Sequence, residues 1–141
     1  MLAGASGNQY EEIKKIIHDL KLEREIILSG YVDQADLPPL IAGAAAFVFP
    51  TLYEGFGLPI LEAMAVDTPV ITSNTLPHTE VGGEAALYAD PQSPAELADA
   101  IIRILEDDGF RQSLAKKGLG RAREFSWRKT AEEIYKMIKA I

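Results

Sequence analysis

The chain has 141 residues, 48% of them hydrophobic, and a formal net charge of -7. This size suits one compact domain over residues 1–141 that buries roughly two thirds of its unfolded surface. A chain this acidic repels phosphate backbones, which argues against a nucleic-acid partner, and the absence of cysteine excludes disulfides and thiolate metal sites.

The amino-terminal part alternates apolar strands with helices. A strand over 1–3 leads into a helix over about 9–22, where Asn8 and Glu11 form a capping-box pattern. A short buried strand over 26–28 ends at Gly30, and a helix is predicted over 33–42. The apolar stripe of the first helix comprises Tyr10, Ile13, Ile16, Ile17 and Leu20.

The rest of the chain continues this alternation. An apolar strand over 45–49 stops at Pro50, a loop follows over 51–56, and a helix begins near Leu58 with Pro59 in its first turn. Strands are predicted over 69–72 and 86–89, separated by a long loop over 73–83. Three helices then close the chain, the first capped by Ser93 and the third by Ser126. This order predicts an α/β fold, with a parallel sheet covered by helices on both faces.

The segment most suggestive of chemistry is 50–62, which reads Pro-Thr-Leu-Tyr-Glu-Gly-Phe-Gly-Leu-Pro-Ile-Leu-Glu. It lies between the carboxyl end of a strand and the amino end of a helix, where open α/β sheets bind ligands. The first helical turn offers unpaired N–H groups to an anion, and Gly55 and Gly57 allow a ligand close to the backbone. Glu54 and Glu62 can accept hydrogen bonds from hydroxyl groups on either side. These parts match a nucleoside diphosphate sugar.

Spacing alone leaves other interpretations open. The Gly55-Phe56-Gly57 sequence lacks the third glycine of the dinucleotide fingerprint, and Glu62 can also be a surface residue near a favourable helix end. A glycosidase needs two carboxyl groups roughly 5–9.5 Å apart. A helix extended back to Glu54 would separate the two acids by a rise of about 12 Å, although the loop can shorten this distance. The role of His78, in the loop that flanks the segment, stays open.

The segment resembles the signature of the family 4 retaining glycosyltransferases of the GT-B fold: Glu, any residue, Phe-Gly, four residues and Glu. Residues 54–57 and Glu62 fit this signature. The neighbouring segments 30–32, 63–65, 68–71 and 125–127 fit the family as well. The resemblance covers nearly the whole chain and implies the second half of the family's carboxyl-terminal, Rossmann-like, nucleotide-sugar-binding domain.

The resemblance implies a role for each residue of the signature. Glu54, the candidate catalytic residue, would bond donor-sugar hydroxyls near the third and fourth carbons, and Glu62 would hold the ribose hydroxyls. The family transfers a hexose with retained anomeric configuration to an acceptor such as a growing glycan, generally without a bound metal or other cofactor. The implied donor-binding residues are Val32, whose backbone would meet the nucleobase, Gly55, Phe56, Gly57, Leu58 and Glu62.

Several family features are missing from the chain or altered in it. The basic residues that neutralise the diphosphate, and the amino-terminal acceptor domain, would lie before Met1. We therefore expect this isolated chain to bind a nucleotide weakly and to be inactive, or nearly so, as an enzyme. Val66-Asp67 replaces the small residue and glycine that often follow Met-Ala. The loop over 74–81 keeps Glu80-Val81 but rearranges the Leu-Pro before it.

The sequence of the last helix predicts an exposed apolar surface. In the GT-B fold this helix packs back towards the amino-terminal domain. Without that domain, its stripe would lie exposed and favour self-association. The apolar stripe comprises Trp127, Ile134, Met137, Ile138 and Ile141.

Two other classes of function compete with this interpretation. A same-fold sugar-nucleotide epimerase or phosphorylase would share the architecture, although the segment lacks a phosphorylase's cofactor-bearing lysine. A non-catalytic nucleotide-sugar-binding or interaction module would keep the site without turnover. For the transferase, the expected partners are a nucleotide-sugar donor and a glycan or lipid-linked acceptor. No membrane-spanning run or signal peptide is evident, so we expect a cytoplasmic location and leave membrane-peripheral association of the full enzyme open.

Overall fold

A computed structural model describes residues 1–7 and 9–140, in two compact units, Met1–Leu37 and Pro38–Ile141. In the first unit, β1 (Leu2–Ala3) pairs in parallel with β2 (Leu28–Gly30), and α1 (Tyr10–Asp19) connects them in sequence. The predicted cap at Asn8 lies outside the described residues.

The first unit corrects two predicted boundaries and the apolar stripe of α1. The helix ends earlier than predicted, because Lys21 adopts a left-handed backbone conformation with φ 57°. The second strand begins only at Leu28, because the Ile26 N–H still donates to the Leu22 carbonyl in a helical turn, at 3.0 Å. Of the predicted stripe, only Ile17 is buried. The exposed members include Ile13, Ile16 and Leu20.

The second unit contains a three-stranded parallel sheet in the order β3 (Phe47–Phe49), β4 (Val70–Ser73) and β5 (Ala86–Ala89). Its strands match the predicted ones to within a few residues. The helices that accompany it are α2 (Leu37–Ala42), α3 (Leu58–Ala65), α4 (His78–Gly82), α5 (Pro94–Glu106), α6 (Asp108–Ala122) and α7 (Trp127–Lys139).

Helices cover both faces of this sheet, as predicted. Successive residues of a strand point to opposite faces, and the central strand β4 divides its side chains accordingly. Val70 packs in one core cluster with Ile60 and Met64 of α3. Ile71 packs in the other cluster with Ile104 of α5 and Leu114 of α6. The strand is buried along its whole length, so its residues Val-Ile-Thr-Ser do not alternate between buried and exposed positions.

The three long helices at the carboxyl end of the chain begin with side-chain caps. Ser93 accepts a hydrogen bond from the Glu96 N–H and Ser126 from the Lys129 N–H, which confirms both predicted caps. Asp107 caps α6 in the same way, through the Phe110 N–H at 2.8 Å. Each cap satisfies an N–H group that the helix itself leaves unpaired.

The prediction of a continuous loop over 73–83 is wrong. The segment contains α4, followed by a 3₁₀ turn over Gly83–Ala85. Arg121 of α6 holds this helix in place, donating from Nε to the Val81 carbonyl at 3.0 Å and from Nη2 to the Glu80 carbonyl at 2.8 Å. The Tyr88 hydroxyl donates to the Gly83 carbonyl at 2.7 Å. These bonds satisfy carbonyls that the short helix cannot pair internally.

The apolar stripe of α7 lies exposed, as far as the structure describes it, and α7 has no buried residue. The exposed side chains include Trp127, Ile134, Met137 and Ile138, whereas Ile141 lies outside the described residues. No helix among the described residues is long and apolar enough to cross a lipid bilayer. Self-association through the stripe remains a prediction.

We expect the sedimentation coefficient of the chain to rise with concentration, because association would bury this stripe. The double substitution Ile134→Ser/Ile138→Ser should abolish the rise. Glu132→Ser/Lys136→Ser, which also introduces two serines without changing the net charge, should leave it intact. Analytical ultracentrifugation compares the three proteins, and a monomeric parent at all concentrations would disprove the prediction.

Candidate functional site

The loop between β3 and α3 is held at the carboxyl edge of the sheet by two buried hydroxyls of the neighbouring strand. Thr72 donates to the Phe49 carbonyl at 3.0 Å, and Ser73 donates to the Thr51 carbonyl. Because β3 and β4 run in parallel, their carboxyl ends meet at the same edge. The chain therefore leaves β3 on a fixed path towards α3, along the rim where α/β sheets bind ligands.

Gly57 forms the turn into α3 and has two separate reasons to be glycine. Its φ of 93° and ψ of 41° are left-handed, a conformation that side chains disfavour. A Cβ atom at this position would also lie 3.1 Å from Cδ1 of Ile60 and 3.2 Å from Cδ2 of His78. Gly55 differs, since a Cβ there would meet nothing within 4 Å. The open side of the loop is therefore at Gly55, and the tight side is at Gly57.

The amino end of α3 has no side-chain cap within the part of the chain that the structure describes. Gly57 is the N-cap residue, and the first turn contains Pro59, which has no N–H to donate. The Ile60 N–H bonds to the Gly57 carbonyl at 3.0 Å. The remaining N–H groups at the start of α3 carry the positive end of the helix dipole and can bind an anion.

The two predicted carboxylates lie on either side of this turn along the chain. Glu54 is half-buried in the loop, and its Oε2 accepts a long hydrogen bond of 3.3 Å from the Gly55 N–H. Glu62 is exposed in the second turn of α3, as the sequence predicts. The side chains of Phe56 and Leu58 are 45% and 47% exposed beside them. These residues thus form one continuous segment with a half-buried acid before the turn and an exposed acid after it.

Val32, the remaining predicted site residue, lies in the first unit. It is half-buried and follows β2, just after Gly30, whose φ is 68°. Within the described residues, no group of three His, Asp or Glu side chains is arranged to hold a metal ion.

An apolar groove adjoins the turn. It has a volume of about 420 Å³, and its walls come from the start of α3 and the junction of α6 with α7. The Phe56 ring meets the Phe125 ring edge to face, with centroids 6.0 Å apart, and the Arg121 guanidinium lies over Phe125 at 4.8 Å. The lining residues are Phe56, Leu58, Leu61, Phe125, Ser126, Trp127 and Thr130.

His78, whose role the sequence left open, lies directly beneath the turn. It is the first residue of α4, its side chain is 0% exposed, and its ring meets Phe49 edge to face at 6.1 Å. Nδ1 lies 3.3 Å from Oγ1 of Thr75, whereas Nε2 has no hydrogen-bond partner among the described residues. Leaving such a group unpaired costs about 1–3 kcal/mol. Burial lowers the pKa of His78, and the Glu54 carboxylate acts in the opposite direction.

Comparisons with known proteins give a consistent picture. Residues 1–121 match the protein family described as "Glycosyl transferases group 1". The O-antigen chain mannosyltransferase B of Escherichia coli is 41% identical over 127 residues, which cover 90% of this chain and 33% of that protein. The chain spans about a third of the length of the curated relatives that it matches.

Solved structures share the fold. Sucrose-phosphate synthase from Thermosynechococcus elongatus matches with a TM-score of 0.84 at 32% identity, covering 99% of this chain and 38% of that one. The Anabaena protein Alr3699/HepE, solved in complex with UDP-glucose, matches with a TM-score of 0.87 at 24% identity, covering 99% of this chain and 40% of that one. The predicted α/β fold with parallel strands, that of the Rossmann-like carboxyl-terminal domain of GT-B proteins, is thereby confirmed.

Proposed function

The chain belongs to the group 1 glycosyl transferases, and on this premise we propose that it supplies the donor site of a retaining hexosyltransferase. The donor is a nucleoside diphosphate sugar, and the acceptor is a growing glycan or a lipid-linked sugar. In this proposal, residues 1–141 form part of the carboxyl-terminal, donor-binding domain. The acceptor side of the cleft comes from another part of the complete enzyme.

The uncapped turn at Gly57 carries the proposal. It presents N–H groups and the positive end of a helix dipole at the ligand-binding rim of a parallel sheet. We assign the diphosphate and the sugar to Gly55 and the backbone amides of Phe56, Gly57 and Leu58. In this assignment, the diphosphate occupies the position that a capping side chain takes at α5, α6 and α7.

The two carboxylates would fix the orientation of a sugar nucleotide in the site. We assign Glu54 to the hydroxyls of the transferred sugar, and Glu62 to the vicinal ribose hydroxyls, since a carboxylate accepts a pair of hydroxyl donors well. Val32 is assigned to the nucleobase through its backbone. Glu54 is half-buried and Glu62 is exposed, so both carboxylates retain surface that a hydroxyl group can reach.

The reaction follows from these assignments. As the bond between the anomeric carbon and the diphosphate breaks, negative charge accumulates on the leaving group. The amides at the start of α3 stabilise this charge more strongly in the transition state than in the ground state. Glu54 orients the sugar, and the acceptor hydroxyl attacks the anomeric carbon from the face that the diphosphate leaves, passing its proton to an oxygen of the departing diphosphate. Retention of configuration then requires no covalent intermediate on this chain.

The relatives support a hexose donor but leave the base open. One relative is a mannosyltransferase by name, and one matching structure holds UDP-glucose. We therefore propose UDP- or GDP-linked hexoses as the donors to be tested. A non-catalytic sugar-nucleotide-binding module would bind the same compounds without transfer.

Calorimetric titration tests the proposal directly. The purified chain should release or absorb heat with UDP-glucose or GDP-mannose, and none with free glucose or mannose. The double variant Glu54→Gln/Glu62→Gln should lose this binding. Asp99→Asn/Glu106→Gln, which removes two exposed acids of α5, is the charge-matched control and should bind like the parent. Absence of binding to both nucleotide sugars would rule the proposal out, and full-rate transfer by this chain alone would contradict the assignment of the acceptor side to another part.

A further inference from the structure

One fully buried polar atom lies without a hydrogen-bond partner beneath the turn at Gly57. The side chain of His78 has no exposed surface, and its Nε2 atom makes no hydrogen bond within the described part of the chain. Buried polar groups in folded proteins are almost always hydrogen-bonded, so an unpaired one requires a physical explanation. A hydrogen-bond partner that approaches Nε2 in another state of the site provides such an explanation.

The surroundings of the ring indicate that Nε2 carries a proton. Burial lowers the pKa of His78, so the imidazole is neutral and holds a single N–H. The Thr75 hydroxyl, 3.3 Å from Nδ1, can donate to that nitrogen, which leaves the proton on Nε2. The unpaired atom is then a hydrogen-bond donor.

The candidate acceptor is the Glu54 carboxylate, in the loop between β3 and α3 that also contains Gly57. The Glu54 carboxylate is half-buried, and it is the charged group that acts on the pKa of His78. Its hydrogen bond from the Gly55 N–H is long, at 3.3 Å, and leaves most of its acceptor capacity unused. Arg121, which also packs on α4, is already engaged with the carbonyls of Glu80 and Val81.

We propose that His78 is a positioning residue of the donor site, whose Nε2–H holds the Glu54 carboxylate in the orientation that receives the donor sugar. This inference rests on the proposed function, since the role of Glu54 belongs to it. Gly57, in the same loop as Glu54, packs against the ring, since a Cβ there would lie 3.2 Å from Cδ2 and 3.8 Å from Nε2 of His78. Nε2 has no accessible surface, so His78 acts on the donor through Glu54 and does not touch it.

Two substitutions separate the N–H group from the shape of the ring. His78→Gln keeps a side-chain N–H donor, and His78→Phe keeps an aromatic ring without one. We expect UDP and GDP to bind all three proteins alike. The gain in affinity from the attached sugar, measured as UDP-glucose against UDP and GDP-mannose against GDP, should fall by about tenfold in His78→Phe and be retained in His78→Gln. An unchanged gain in His78→Phe, or an equal loss for the free nucleotides, would overturn the inference.

A measurement without any donor tests the pairing separately. In the pH titration of histidine signals by NMR, Glu54→Gln should lower the pKa of His78 further, because it removes the charge that raises it. An unresponsive His78, or a proton on Nδ1, would refute the pairing. If Glu54→Gln lowers the pKa of His78 as expected but the chain binds no sugar nucleotide, only the proposed function is contradicted.

Discussion

Replacing Gly57 with alanine is expected to lower the free energy of unfolding by about 2–5 kcal/mol and to abolish sugar-nucleotide binding. The left-handed backbone at this position, with φ 93°, disfavours any side chain by about 1–2 kcal/mol. The added methyl group would also press on Ile60 and His78, at 3.1 and 3.2 Å, in a packed core. Overpacking of this kind typically costs about 1–3 kcal/mol.

Gly55→Ala is the matched control for this substitution. It adds the same methyl group two positions earlier, where nothing lies within 4 Å of the new Cβ. Denaturant unfolding followed by circular dichroism should therefore give Gly55→Ala nearly the stability of the parent. Equal unfolding midpoints for the two variants would mean that Gly57 is not constrained as the structure describes.

Replacing Glu62 with alanine is expected to weaken nucleotide binding by about tenfold or more while leaving stability nearly unchanged. A hydrogen bond to a charged group contributes about 1.5–3 kcal/mol, and two ribose hydroxyls would lose their acceptor. Glu62 is exposed on α3, so its removal leaves no cavity. Asp99→Ala, at an exposed position of α5, removes one acid elsewhere and should leave the affinity unchanged.

A ligand lacking one hydroxyl shows whether ribose is the partner of Glu62. The parent should bind 2′-deoxy-UDP more weakly than UDP, whereas Glu62→Ala should bind the two alike, because the contact is already lost. The GDP pair serves equally if the chain prefers guanine. A Glu62→Ala variant that binds UDP as tightly as the parent would remove Glu62 from the donor site.

The elements nearest the turn at Gly57 were the most predictable from sequence. Pro59 marks the first turn of α3 and Pro50 the end of β3, and both are local signals that tertiary packing does not override. The serines at 93 and 126 mark helix starts equally locally. The alternation of strands with helices and the parallel pairing are likewise confirmed, since continuous apolar runs that alternate with helices are typical of a buried parallel sheet.

The missed features depend on long-range contacts. The helix α4 has five residues and cannot show a helical period; Arg121, about 40 positions along the chain, satisfies its carbonyls. The sequence pattern correctly identified the apolar residues of α1. The period of this pattern, however, does not show which of these residues another element covers. His78 carried no sequence signal beyond its place near the segment, because its burial depends on Phe49 and Gly57, which approach it only in the fold.

The start of α3 is proposed to bind the diphosphate of a sugar nucleotide. Titrating the ¹⁵N-labelled chain with UDP-glucose and GDP-mannose, and following each backbone amide by NMR, shows whether it does. With the donor that binds, the largest shifts should fall on residues 55–58, while the amides at the start of α6, where Asp107 already occupies the cap, should stay in place. Shifts that spare residues 55–58 with both compounds would show that the diphosphate does not bind at the start of α3.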